Sequence, residues 1–287
     1  MADEQPGLGD YSLEAVRVFV RIRPLNKKEL AENQKEFWET TETSMLEETT
    51  NGKRAYVYDR CFDPMASNSE VYDIVGKQLV TKAMGGFNGT VFTYGQTGSG
   101  KTWTMRGSAD DPGMMRLCIT DVFEYVNRNP KKEIIIKVSY MEVYNEEIND
   151  LLGIIAQPKT EDEKKIGKNL KIEIDDPVRG AIIKGLVEET VTSDQEMMDV
   201  LLRGEHNRSY ALTEMNAESS RSHVIYRLMI EVKDEAEDPT STTGRISYLN
   251  LVDLAGSERQ KNTGTSGSTL KEGANINKSL LALVREF

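Results

Sequence analysis

The run Gly95-Gln96-Thr97-Gly98-Ser99-Gly100-Lys101-Thr102 constrains the fold of this chain more than any other feature. It satisfies GxxxxGK[ST], in which glycines let the backbone turn tightly enough for successive N–H groups to face a phosphate. In that pattern Lys101 supplies a cation to the β- and γ-phosphates, and the Thr102 hydroxyl can ligate Mg2+. The pattern informs only in context. Here an apolar, strand-like stretch, GTVFTYG, precedes it and a helix start near Lys101 follows it. That helix adds the positive end of its dipole to the same anion site. Strand, phosphate loop and helix in that order imply a nucleotide-binding α/β domain.

The rest of the chain fits such a domain. Its 287 residues are enough for one large α/β domain, and 38% are hydrophobic against 29% charged. Forty-seven acidic and thirty-six basic residues leave a net charge of −11, the wrong sign for a general nucleic-acid binder. The N-terminal MADEQPGLGD has no basic or apolar signal-peptide region, and residues 1–14 are expected to form a flexible segment. Cys61 and Cys118 stand alone, outside any metal-ligand spacing, which fits a reduced, cytosolic-type compartment. His206 and His223, the only histidines, share no metal-like spacing and read as structural.

Valines and isoleucine alternate with polar or aromatic neighbours over 15–24, the period of a strand that Pro24 ends. Residues 26–54 read as an acid-rich loop with short strands, and 55–62 as another strand. A helix is predicted over 69–85, ending at a glycine pair, and a second over 117–127. Residues 133–144 form a long β-branched and aromatic strand, 145–152 a short helical turn, and 153–169 a surface insertion. Ser193 with Glu196 is a capping-box signature for a helix that turns Met197, Val200 and Leu201 inward. Strands over 224–232 and 245–252 flank an acidic, Ser/Thr-rich loop. The alternation predicts a mixed, mostly parallel-type central sheet with helices on both faces.

Two later segments have the character of γ-phosphate sensors. Asn216-Ala217-Glu218-Ser219-Ser220-Arg221-Ser222-His223 gathers an amide, hydroxyls and a guanidinium just before a strand. Asp253-Leu254-Ala255-Gly256-Ser257-Glu258 follows the apolar strand ISYLNLV, where an Asp can hold a metal-bound water and Gly256 can bring an N–H near the phosphate.

In combination, GQTGSGKT, NAESSRSH and LVDLAGSER resemble the P-loop, switch I and switch II of the kinesin motor domain. RIRPLN resembles that family's adenine-side motif and NINKSLLAL the helix after switch II, so the similarity runs over about 15–283. VSYMEVYNEEINDLL and SYLNLVDLAGSER resemble the centromere-associated subfamily. The resemblance implies an ATP-hydrolysing, microtubule-stimulated motor on the cytoskeleton, the spindle included, with ATP and Mg2+ as ligands. Position by position, it implies that Gly95, Gln96, Thr97, Gly98, Ser99, Gly100 and Lys101 hold phosphates. Thr102 and Ser220 would ligate the metal, with Asp253 acting through a water. Arg221 and Glu258 would pair when both switches close, Gly256 would approach the γ-phosphate, and Ser219 and Asn216 would orient phosphate or water. Arg21, Arg23 and Pro24 would flank the adenine. Trp103 would either stack on the base or pack in the core.

For a track with an acidic surface, the distribution of charge matters more than the total. Arg259, Lys261, Lys271, Lys278 and Arg285 against Glu272 and Glu286 give residues 259–287 a local surplus of positive charge. In the family this stretch faces tubulin. The family continues past NINKSLLAL through a further tubulin-facing segment, a last strand and helix and a neck linker, so a domain incomplete at that end is expected. The alternative function is a nucleotide-gated tubulin-binding module without productive motility. A GTP-binding switch is disfavoured because no NKxD-type base-reading motif is present.

Overall fold

A computed structural model describes residues 16–50, 52–155, 158–176, 180–215, 219–233 and 244–258. The expectations for 1–14 and for everything beyond 258 lie outside these residues. Contacts cluster the chain into two compact units, divided between Ala66 and Ser67.

In the first unit, strand β1 (Phe19–Arg21) pairs in parallel with β5 (Arg60–Phe62). Between them lie helix α1 (Lys27–Ala31) and an antiparallel three-stranded sheet, β2 (Trp38–Thr40), β3 (Ser44–Thr49) and β4 (Gly52–Val57). The strand expected over 15–24 is shorter because β5 offers only three residues to pair with. Beyond the ladder, Val18 donates to the Asp59 carboxylate and Ile22 to the Phe62 carbonyl. The single strand expected over 55–62 is two. Tyr58 N–H goes to Thr43 and Asp59 N–H to Val18, so the chain changes sheets at that point. Helix α1 was not anticipated, although Asn26 and Glu29 form a complete capping box around its start.

The second unit begins with α2 (Asn68–Met84), capped by the Ser67 hydroxyl and ended by Gly85, close to the predicted range. Then follow β6 (Gly89–Thr93), α3 (Lys101–Arg106), α4 (Met114–Arg128), β7 (Glu133–Tyr144) and β8 (Glu147–Asp150). The chain continues through the hairpin β9 (Lys171–Asp176) and β10 (Gly180–Lys184), then β11 (Glu189–Val191) and α5 (Asp194–Met215). It closes with β12 (His223–Lys233) and β13 (Gly244–Asp253). Residues 145–152 correct the expected helical turn. Asn145 and Glu146 both have positive φ, the geometry of a tight hairpin turn, and β8 folds back on β7.

The main sheet runs β11-β7-β12-β13-β6, with β8 on β7. It is mixed, as expected, but its described pairings are antiparallel except for β13 with β6. Alternate residues of β12 (Val224, Tyr226, Leu228, Ile230 and Val232) are at most 1% exposed and form the core row. Helices α2 and α5 cover this face, since Ser247 donates to the Ala83 carbonyl and Tyr226 to that of Met197.

This topology explains where the motifs meet. Parallel pairing sets Asp253 beside Thr93, so the loops after β6 and β13 leave from one end of the sheet. Antiparallel pairing sets Val224 opposite Asp253, so the segment entering β12 arrives at that same end.

Candidate functional site

Gly100 caps α3 in the left-handed region (φ +97°) and Gly98 sits at φ +77°, conformations that side chains rarely adopt. Ser99 N–H closes the turn on the Gln96 carbonyl at 3.2 Å. The Lys101 ammonium folds over this loop, donating to Gly95 O at 2.9 Å and Gln96 O at 3.0 Å. Burial lowers its pKa, with Asp253 and Glu258 pulling the other way. A half-buried cation held, among the described residues, by carbonyls and nearby carboxylates suits an incoming polyphosphate.

Beside it, the Thr102 hydroxyl donates to Asp253 at 2.6 Å, and the Thr93 hydroxyl reaches the other carboxylate oxygen at 3.3 Å. This is a donor set of hard oxygens, and among the described residues no cluster of three His, Cys, Asp or Glu could hold a metal by itself. Hard oxygens suit Mg2+, which keeps several waters and takes one or two protein oxygens plus substrate phosphates. Thr102 and Asp253 are the residues that would hold it. Thr93 was missed in the sequence; its only signal is its register with Asp253.

The two switch-like segments are stitched together. Gly256 N–H donates to the Ser220 carbonyl at 2.7 Å, and Ser257 N–H to Gly95 O at 3.1 Å. His223, read as structural, bridges the segments by accepting the Ala255 N–H on Nδ1 at 3.1 Å. Burial lowers the His223 pKa, which keeps the ring neutral and leaves its proton on Nε2.

The described hydrogen bonds of the Glu258 side chain go to Thr97 of the phosphate loop. The carboxylate accepts from Thr97 N–H at 2.9 Å and from the Thr97 hydroxyl at 2.5 Å. Burial is the largest influence on its pKa and pushes it up, but the two Thr97 bonds, its own backbone N–H and the Lys101 charge together bring the net shift downward. A carboxylate therefore rests on an amide of the phosphate loop. Gly256 is needed beneath it, since a Cβ there would meet both Glu258 oxygens and the Thr97 hydroxyl.

Ser219 and Ser220 share a 3-10 turn with Arg221, immediately before Ser222 and His223. Asn216 and the basic residues Arg259, Lys261, Lys271 and Lys278 lie outside the described residues. Trp103 is 47% exposed on α3, which rules out the core-packing alternative and leaves its ring accessible. Arg21, Arg23 and Pro24 belong to the first unit. There Arg21 donates to Ala66 O at 2.8 Å, while Arg23 grips both Glu29 oxygens at 2.6 and 2.7 Å and also bonds to Pro24 O.

Residues 21–285 match the family model described as the kinesin motor domain. Kinesin-like protein KIN-7N of Arabidopsis thaliana is 40% identical over 276 residues, covering 94% of this chain and 31% of that protein. Human Centromere-associated protein E is also 40% identical, over 94% of this chain but 10% of its own length. The chain thus spans about a third or less of these relatives. A solved structure of a KIF14 dimer with AMP-PNP in complex with a microtubule superposes with a TM-score of 0.80 at 33% identity. It covers 93% of this chain and 75% of that one.

Proposed function

The chain belongs to the kinesin motor-domain family, and on that premise we propose that it binds MgATP at Gly95–Thr102, hydrolyses it, and passes the resulting switch movement to a microtubule. The observation that carries this reading is the bonded meeting of three segments. Thr102 reaches Asp253, Gly256 reaches Ser220, and Glu258 reaches Thr97. The microtubule-bound neighbour supports the track as partner.

In this reading Lys101 and the amides of Gly95, Gln96, Thr97, Gly98, Ser99 and Gly100 hold the phosphates. Thr102 and Ser220 would hold Mg2+, with Asp253 acting through a water, and the chemistry such an ion would supply there is neutralisation of phosphate charge. The Gly256 N–H is committed to Ser220, so it must exchange that bond before it can meet a γ-phosphate. Glu258 must likewise leave Thr97 before pairing with Arg221 in a closed state. Ser219 and Asn216 orient phosphate or water, and a water attacks in line, its proton passing through a second water to Glu258. The family resemblance assigns Arg21, Arg23 and Pro24 to the adenine and the stretch with Arg259, Lys261, Lys271 and Lys278 to tubulin, while the exposed Trp103 ring is free to stack on a base. Such chemistry asks for positioning and charge stabilisation, with no covalent intermediate.

Arg221→Ala and Glu258→Ala test the closed pair. Each is expected to keep MgATP affinity within about threefold while turnover falls about 100-fold, because the pair acts beyond ground-state binding. A double-mutant cycle with no coupling energy between the two positions would reject the pairing.

A further inference from the structure

Helix α5 carries a glycine where a helix interior disfavours one. Gly204 costs roughly 1 kcal/mol relative to alanine at such a site. The structure gives the reason: a Cβ on Gly204 would run into the ring of Tyr140 on β7, which is fully buried. Close approach at Gly204 fixes what its neighbours touch. Glu205 takes the Tyr140 hydroxyl on one oxygen and forms an ion pair with Arg106 through the other. Arg106 ends α3, the helix that begins with Lys101 and Thr102.

One turn further on, Arg208 uses two nitrogens of its planar head. Nε bonds to Glu142 at 3.2 Å, and an Nη donates to the Ser222 hydroxyl at 3.2 Å. Both side chains of the Arg208–Glu142 pair are 5% exposed. Ser222 sits between Ser220, whose carbonyl holds Gly256, and His223, whose ring holds Ala255. A buried ion pair adds little net stability over an apolar replacement, so its effect is sought in geometry.

We propose that Glu205 and Arg208 form a clasp that fixes the segment 220–223 relative to the phosphate-loop helix. Both are positioning residues for hydrolysis and touch neither nucleotide nor metal. Glu205 ties α5 to the end of α3, Arg208 ties α5 to Ser222, and β7 is the shared anchor through Tyr140 and Glu142. Loosening either end leaves the phosphate loop intact but lets the 220–223 segment drift from the distance at which Gly256 and Ser220 act. Sub-ångström drift is costly for chemistry that depends on alignment.

The proposal rests on the ATPase reading above. Its test uses the 287-residue chain with Arg208→Lys, Ser222→Ala, Glu205→Gln, and Arg106→Met alone and combined with Glu205→Gln. Melting temperature, MgATP affinity by calorimetry and steady-state turnover are measured for each. Lysine keeps the charge but lacks the planar fork that serves Glu142 and Ser222 from two separate nitrogens, so Arg208→Lys should lose about tenfold in kcat with affinity within about threefold. Ser222→Ala, which removes one hydroxyl and leaves the packing, should lose about threefold in kcat. It decides the matter if the Arg208 variant fails to fold. The Arg106→Met, Glu205→Gln double variant should be no slower than Glu205→Gln alone. Unchanged kcat in Arg208→Lys and Ser222→Ala beside an active wild type overturns the clasp alone. Affinity and kcat falling together in step with the melting temperature also overturn it. An inactive wild type overturns the ATPase reading and the clasp with it.

Discussion

At the scale of single residues, the site holds its charges in waiting. The Lys101 ammonium is kept by two carbonyls of its own loop and has its pKa lowered by burial, so it gains a matched partner only when a polyphosphate arrives. Lys101→Ala should therefore weaken MgATP binding by roughly 10- to 100-fold, the worth of a charge-assisted contact. Calorimetric titration checks this, and unchanged affinity in a folded variant would remove the phosphate-loop assignment. Glu258 is the counterpart anion. Its lowered pKa means that its contact with Thr97 is fully present above the ordinary glutamate range and is lost as pH falls through the depressed value. Thr97→Val deletes the hydroxyl donor and should raise that pKa, which carboxyl-detected NMR titration of Glu258 can read. A carboxyl that titrates unchanged in the variant would mean that the Thr97 hydroxyl does not hold it.

At the scale of elements, the legible parts of the fold are those in which one local rule dominates. Strand β7 matches its predicted limits because seven of its twelve residues are Ile, Val or Tyr, and alternate positions Ile136, Val138 and Tyr140 are buried in the core. Helix α2 was legible from its serine cap and glycine stop, and α5 from Ser193, whose hydroxyl accepts Glu196 N–H at 3.2 Å. Short elements away from the phosphate loop were less legible. Strand β8 depends on two residues at positive φ, and β11 is three residues whose strand pairing, among the described residues, is with β7. The same division runs through the site. Loop 95–102 and Asp253 declare themselves because phosphate geometry demands glycine, lysine and a strand-end acid in sequence. The Thr97–Glu258 contact joins residues 161 apart, and nothing in either segment announces the other. Gly204 shows how packing hides from the sequence, since its meaning lies in Tyr140, a residue of another element. Gly204→Ala should destabilise the chain by about 1–3 kcal/mol through overpacking, where helix propensity alone would predict a gain. The shift of the urea midpoint checks the sign, and a stabilised variant would show that α5 does not lie tightly on Tyr140.

For the whole molecule, the account joins a nucleotide site at one end of a mixed sheet to a track whose surface is acidic. A chain of net charge −11 needs its positive residues gathered, and the surplus in 259–287 is the gathering that the sequence offers. Association through exposed Lys and Arg should weaken steeply as salt rises past roughly 0.1 M, where the Debye length falls to about 10 Å. Co-sedimentation with microtubules over a salt series reads that directly, and salt-resistant binding would place the contact elsewhere. The most direct test of the central claim is steady-state ATP turnover by this chain, with and without microtubules, for wild type beside Glu258→Ala. The account predicts turnover by wild type that rises with microtubules, and near-background turnover by the variant despite retained MgATP binding. Wild type that binds MgATP without hydrolysing it, or a Glu258→Ala chain as fast as wild type, would contradict it.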